Sequence, residues 1–198
     1  MKGIARWMAF GLTLAMLLAS PALAQDGRLY IGASLGQAEA EGVCSEINSI
    51  ITGIGGTVSS CDEKDSAWKL FGGYQVNRHF ALEASYFDYG SVSASGQTFG
   101  VPFRFGGEAT AFGIAAVGIL PLASQFSLFG KLGLLRTEFE VSASGVGGSA
   151  SDSDSDTGLH IGVGAMFDIA RNVSLRAEWE RNDEAEVDMM SIGVQFRF

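Results

Sequence analysis

The sequence predicts an all-β fold, an eight-stranded antiparallel up-and-down barrel that spans a membrane. Three observations carry that expectation. Eight segments alternate residue by residue between a bulky apolar set and a smaller, more polar set, the period of a strand with two unlike faces. The connections between them sort by length, long ones at one end and tight turns at the other, as in outer-membrane barrels. Aromatic residues gather near strand ends, the pattern of interfacial girdles. Composition agrees: the 198 residues hold 27 Gly against 3 Pro, and 47% are hydrophobic without a helix-length apolar run beyond the first two dozen positions.

Those first positions, residues 1–24, form a separate element. Lys2 and Arg6 precede an apolar core, Trp7 to Ala19, and Ala22-Leu23-Ala24 is a small-x-small cleavage site before Gln25. This is the anatomy of a secretory signal peptide, whose short apolar core argues against a retained anchor. Removing 24 of 198 residues leaves 174, and losing Lys2 and Arg6 takes the formal charge from −9 to −11. An exported chain this acidic is a poor partner for nucleic acid. The barrel domain is then 25–198.

The eight strands are read at about Arg28–Gln37, Ser66–Gln75, His79–Asp88, Ala109–Leu120, Gln125–Glu138, Thr157–Ile169, Val173–Arg181 and Asp188–Phe198. Residues 38–65, 89–108, 139–156 and 182–187 are the long connections; 76–78, 121–124 and 170–172 are short turns. In an up-and-down meander successive connections fall on opposite ends, so all the long ones share one end.

The alternation assigns the faces. Val173, Leu175, Ala177 and Trp179 oppose Ser174, Arg176, Glu178 and Glu180. Leu159, Ile161, Val163, Ala165 and Phe167 oppose His160, Gly162, Gly164, Met166 and Asp168. Phe80, Leu82, Ala84 and Tyr86 oppose Ala81, Glu83, Ser85 and Phe87. Lys69 and Lys131 fall on the smaller-residue face, whereas the fourth strand is apolar on both faces and decides nothing. A soluble lipocalin-like barrel would turn the bulky set inward. The glycine-rich opposite face suits the narrow lumen of eight strands. The aromatic positions Trp68, Tyr74, Phe80, Tyr86, Phe112, Phe126, Trp179 and Phe196 favour lipid outside. In the last strand Ile192, Val194, Phe196 and Phe198 then face lipid, and Ser191, Gly193, Gln195 and Arg197 the lumen. That strand closes on the first, leaving no unpaired edge in hydrocarbon.

Charges on the inner face have to pair with one another. Lys69, Glu83, Lys131, Arg176, Glu178, Glu180 and Arg197 carry both signs in near balance, and removing one partner strands another. Glu83, Lys131, Arg176 and Glu178 fall at similar middle depth, so they are expected to form a network that fills the lumen.

Other motifs offer less chemistry. Cys44 and Cys61 are the only cysteines, and in an oxidising compartment they are expected to form a disulfide. A metal pair with His79 or His160 lacks the usual ligand spacing. No cofactor is expected: "GIGG" and "GVGG" fall in loops, not at the strand-to-helix junction a nucleotide site needs. "SDSDSD", Ser151 to Asp156, would align Asp152, Asp154 and Asp156 if extended, and carboxylates suit calcium or magnesium. It lacks the glycine and terminal Glu of a calcium loop, so a solvated, disordered acidic loop is the preferred reading.

The stretch "FGGYQVNRHFALEASYFDYG", Phe71 to Gly90, resembles the second and third strands of the outer membrane protein A transmembrane domain. The resemblance extends over Gln25 to Phe198. It implies a monomeric barrel with a structural, adhesive or weak pore role, set in outer-membrane lipid and lipopolysaccharide. It also implies that Ile192, Val194, Phe196 and Phe198 resemble the signal read by the barrel-assembly machinery. Glu83, Lys131 and Arg176 match the family's lumen charges on the third, fifth and seventh strands. A Glu expected on the sixth is missing, and Glu178 is placed to substitute. The chain ends with the barrel, so cell-wall tethering by a periplasmic domain is not carried over. A lipid A deacylase of similar fold uses a His-x-Ser pair, which is absent here because Ile161 and Gly162 follow His160. A non-catalytic structural or surface-contact protein is therefore the favoured function. A narrow ion-permeable channel is the alternative, and an enzyme acting on lipid the least favoured.

Overall fold

The computed structural model describes residues 28–40, 42–62, 64–98, 101–145 and 148–198. The expected signal peptide lies outside them. The elements are β1 (Arg28–Ala40), α1 (Val43–Gly53), β2 (Gly56–Asp62), β3 (Lys64–Asn77), β4 (Phe80–Thr98), β5 (Val101–Pro121), β6 (Phe126–Gly145), β7 (Gly148–Asp168), β8 (Val173–Asn182) and β9 (Val187–Arg197). Eight of the nine strands close a barrel: β1 and β3 to β9 pair antiparallel in sequence order, and β1 pairs back onto β9 from Tyr30↔Arg197 to Ala40↔Val187. Closure removes every edge from the part that faces hydrocarbon.

The turns explain the tight end. Asn77 Oδ1 accepts from the N–H groups of His79 and Phe80 at 2.8 and 3.0 Å, a side chain standing in for a turn carbonyl. Leu122 and Ala123 N–H both donate to Phe126 O, and Ile169 and Ala170 N–H to Val173 O. These turns span a few residues each, as expected.

The long end differs from expectation. Within 89–108 and 139–156 the described residues are strand and not loop, since β4, β5, β6 and β7 continue well past the barrel rim. Residues 38–65 hold α1 and β2, and β2 pairs with the upper part of β4 from Gly56↔Thr98 to Asp62↔Ser93. A wall of five strands, β2-β4-β5-β6-β7, therefore rises above the barrel. These segments carry Ser, Gly and acidic residues. The covered positions on β4, Ala94 and Gly96, are small, and Asp152 to Asp156 are largely exposed on both faces. No bulky apolar alternation is needed, and so the strand period disappears from the sequence. "SDSDSD" belongs to β7 rather than to a disordered loop.

The barrel strands keep their expected faces. Ile192 is 71% exposed and Gln195 4%, and the same alternation holds along β4, β7 and β8. The undecided strand is settled too: Val117 points inward, while Phe112, Ile114 and Leu120 point out. Where barrel meets wall, β4 shifts register between Asp88 and Ser91, and Gly90 adopts φ 75°. A Cβ there would lie 2.7 Å from Asp65 Oδ2, so both backbone and space require glycine. After this bulge the inward set of β4 switches from odd numbers, such as Glu83 and Phe87, to Ala94.

Candidate functional site

The lumen is where the sequence concentrates its buried charge. Lys69 comes from β3, Glu83 from β4, Lys131 from β6, and Arg176, Glu178 and Glu180 from successive inward positions of β8. All six are buried. Lys69 Nζ sits 2.9 Å from Glu178 and 2.5 Å from Glu180. Lys131 Nζ contacts Glu83, Glu178 and Glu180 at 2.7, 2.5 and 2.9 Å. Arg176 reaches Glu83 at 2.9 Å through Nη1 and Glu178 at 3.2 Å through Nη2. Three cations thus meet three carboxylates, with Glu178 touching all three cations. Each carboxylate has at least two cationic neighbours, the arrangement that compensates desolvation best.

Arg197 does not join them. It lies at the short-turn end, where its Nη2 pairs with Asp168 Oδ1 at 2.7 Å, and that carboxylate also accepts from Ser174 Oγ. Its place as the last inward residue of β9 sets it too low to reach the middle.

Neutral partners complete the network. The Tyr30 hydroxyl donates to Glu83 at 3.0 Å, and Arg176 Nη1 donates to Gln195 Oε1 at 3.0 Å. His160, 2% exposed, places Nε2 3.2 Å from Glu180 Oε1 and packs edge-on against the Phe87 ring.

The part that alternation alone did not expose is aromatic. The Arg176 guanidinium lies between Phe71 and Phe129, 4.3 and 4.5 Å from their ring centres. Cation–π contact of this kind contributes about 2 kcal/mol where both groups are dry. The rings need space, and glycines provide it: a Cβ at Gly32 would collide with Phe71, and one at Gly164 with Phe129. The glycine-rich inner face is thus not a wide lumen. It is half of an interlocking surface. The available signal was local, because Phe71 and Phe129 each lie two residues from an inward lysine and so share its face.

Two apolar layers enclose the charges. Toward the long end lie Ala38, Phe87, Tyr89, Leu135, Val187 and Met189. Toward the short end lie Tyr30, Phe71, Ala81, Val117, Phe129 and Met166. Beside Arg176 and Gln195, the space left among Tyr30, Val117, Phe129 and Met166 is about 10 Å³. That is close to the least volume that holds one water, roughly 10–15 Å³ by this measure.

The remaining predicted positions fall elsewhere. Cys44 in α1 and Cys61 in β2 are disulfide-bonded, with Cα atoms 5.8 Å apart, outside the barrel. Asp152, Asp154 and Asp156 share a face of the wall, opposite Val141, Phe139 and Thr137. Among the described residues, no group of three His, Cys, Asp or Glu is arranged to hold a metal ion. Ile192, Val194 and Phe196 lie on the outer face of β9, and Phe198, just past it, is likewise exposed.

An apolar exterior, a closed meander and a charged, filled interior define the chain as a small membrane-spanning β-barrel protein. It belongs to the outer membrane protein beta-barrel domain family, which matches residues 10–198. Solved structures agree on the fold. Neisserial surface protein A is 15% identical over 88% of this chain and 100% of its own, with a TM-score of 0.55. The N-terminal barrel of Pseudomonas aeruginosa OprF is 13% identical over 88% and 100%, at 0.54. Ail, the attachment invasion locus protein of Yersinia pestis, is 19% identical over 87% and 97%, at 0.50. No curated protein sequence matches the chain. The outer membrane is the implied location.

Proposed function

We propose that this chain is a non-catalytic outer-membrane barrel, closed to bulk flow, that presents its raised wall for structural or surface contact. The carrying observation is the six-charge network held between two apolar layers, which fills the middle of the barrel with side chains. Support for a non-catalytic role comes from His160, which is locked against Glu180 and Phe87 instead of facing either leaflet. The channel reading draws on Glu83, which has both Lys131 and Arg176 as partners. Exchange between the two would give brief openings.

Planar-bilayer recording of the refolded protein and of Glu83→Ala tests this. The wild type is expected to stay mostly closed, with rare events whose frequency or size changes in the variant. A large, steady conductance that Glu83→Ala leaves unchanged would overturn the closed barrel and put the narrow channel in first place.

A further inference from the structure

The outer face of the barrel has one gap that its own packing does not explain. Across five strands a single row of outward residues runs Phe80, Gly118, Gly130, Val163, Trp179, each directly opposite the next. The two central members carry no side chain. A Cβ at Gly118 would meet nothing within 4 Å, and one at Gly130 only the Gly162 carbonyl oxygen at 3.8 Å. Inside the barrel glycines make room for rings, but these two make room for nothing in the protein. Glycine also weakens a strand.

The gap is a groove. Its lower half, about 390 Å³, is lined by His79, Phe80, Leu120 and Leu128 around the two glycines. Its upper half, about 450 Å³, continues past Leu132, Ile161 and Val163 to Trp179. The row climbs from the first residue of β4 to the seventh of β8, from the short-turn rim toward mid-depth. Four inter-strand steps make it roughly 19 Å long. A single leaflet of hydrocarbon is about 15 Å deep, so an oblique groove of this length suits one acyl chain.

At the foot of the groove stands a cation. Arg78 Nε donates to His79 Nε2 at 3.0 Å, and His79 Nδ1 lies 3.3 Å from Ile119 O, which fixes the pair to the β5 edge of the groove. No carboxylate among the described residues pairs with Arg78.

We propose that this groove binds an anionic glycerophospholipid of the leaflet at the short-turn end, its phosphate on Arg78 and one acyl chain laid over Gly118 and Gly130 toward Trp179. The site does not depend on whether the lumen conducts.

Trp179 reports on it. In a Trp68→Phe background it is the one tryptophan among the described residues, at the upper end of the groove. The protein is refolded into phosphatidylcholine vesicles containing phosphatidylglycerol, with bromine on the acyl chains of one lipid or the other. Brominated phosphatidylglycerol is expected to quench Trp179 with about five-fold higher relative affinity, the preference one arginine near an anionic headgroup gives. Arg78→Ala should bring that ratio to about one. Gly118→Leu, which has space for its side chain, should lower quenching by both lipids while the heat-dependent gel shift of the folded barrel persists. Equal quenching by both lipids in the parent protein would overturn the site. So would a preference that Arg78→Ala removes but Gly118→Leu leaves intact, since that is surface electrostatics without a groove. Protection of Trp179 from every brominated lipid, together with a cross-linked dimer, would seat a second copy there and equally overturn the lipid assignment.

Discussion

The barrel and the wall above it are built from the same strands. β4, β5, β6 and β7 run through both, with the same antiparallel pairing, yet the two regions treat charge in opposite ways. In the barrel every described charge on the inner face has a partner of opposite sign: three cations meet three carboxylates in the middle, and Arg197 meets Asp168 below. In the wall Glu108 stands directly opposite Glu140, and Asp152, Asp154 and Asp156 share one face of a strand. Like charges across a ladder destabilise it, by an amount that water and salt reduce. The contrast teaches that solvent, not backbone pairing, sets the side-chain rules. Lipid outside forces the charges in and together. In the wall Glu108, Glu140 and the three aspartates are exposed to water, which lets them stand apart.

The edges make the same point. The barrel has none. The wall has two, because β8 pairs with β7 only up to His160↔Asn182. Above that point the N–H groups of Ser153 and Ser155 donate to the carboxylates of the preceding Asp152 and Asp154, at 2.9 and 2.8 Å. The edge thus satisfies part of its own backbone and presents negative charge, which discourages addition of another strand. On the other side α1 lies against β2, tied to it by the disulfide.

The largest expected effect lies where charge is sealed. Glu178→Ala leaves Lys69, Lys131 and Arg176 to share Glu83 and Glu180. Breaking a buried network in this way typically costs ~3–5 kcal/mol. Urea-induced unfolding of the refolded protein in lipid vesicles measures it. Glu140→Ala in the wall is the matched control and should change stability by less than about 0.5 kcal/mol, as surface substitutions do. Equal losses from the two variants would erase the contrast between the regions.

A middle-sized effect separates the regions physically. The Cys44–Cys61 bond closes a loop of 17 residues in sequence separation. Closing such a loop is worth roughly 3 kcal/mol in the chain-entropy model, but only to the segment it closes. Cys44→Ser should therefore speed hydrogen exchange in α1 and β2 and leave the barrel's heat-dependent gel shift unchanged. Loss of the folded barrel band in this variant would show that wall and barrel fold as one unit.

The same division decides what the sequence revealed. Strands facing lipid on one side and the lumen on the other have to alternate, so Leu159 to Asp168 and Val173 to Glu180 announce both their structure and their faces. The inward direction of the six charges is legible for the same reason, since an ionic side chain has only one tolerable direction in such a strand. Only Glu83, Lys131, Arg176 and Glu178 are expected at one level, however, and Lys69 and Glu180 join them in the structure. The wall was hidden because its covered positions on β4, Ala94 and Gly96, are small, while Asp152 to Asp156 are largely exposed on both faces, so no apolar period records the strand. Two further features of the lumen are not written in the alternation. The clamp on Arg176 depends on register, which brings Phe71 and Phe129 together from strands 58 positions apart. The exclusion of Arg197 depends on depth, which alternation does not encode.

The smallest effect sits at the boundary. Where β3 and β4 part above the bulge, Asp65 accepts from Ser91 N–H at 2.8 Å, Ser66 N–H at 2.7 Å and the Ser91 hydroxyl at 3.1 Å. These three bonds, the Ser91 N–H foremost, hold its carboxyl below the usual aspartate range. A carboxyl lowered on folding contributes stability that is present above its unfolded value, near 3.8, and is lost as pH falls through the folded value. The lumen network lies below this level, so the two responses are separable by position. Hydrogen exchange followed from pH 5 down through pH 3 should show Ser91 and the strand above it loosening. Asp65→Asn should show the loosened pattern already at pH 5, by a few-fold in rate, the scale of one weakened charge-assisted bond at a wet site. In both cases Leu82 to Phe87, inside the barrel, should keep their protection. Loosening that spreads below Asp88 would mean that the bulge at Gly90 transmits strain instead of absorbing it, and that the wall is an extension of the barrel rather than a region with rules of its own.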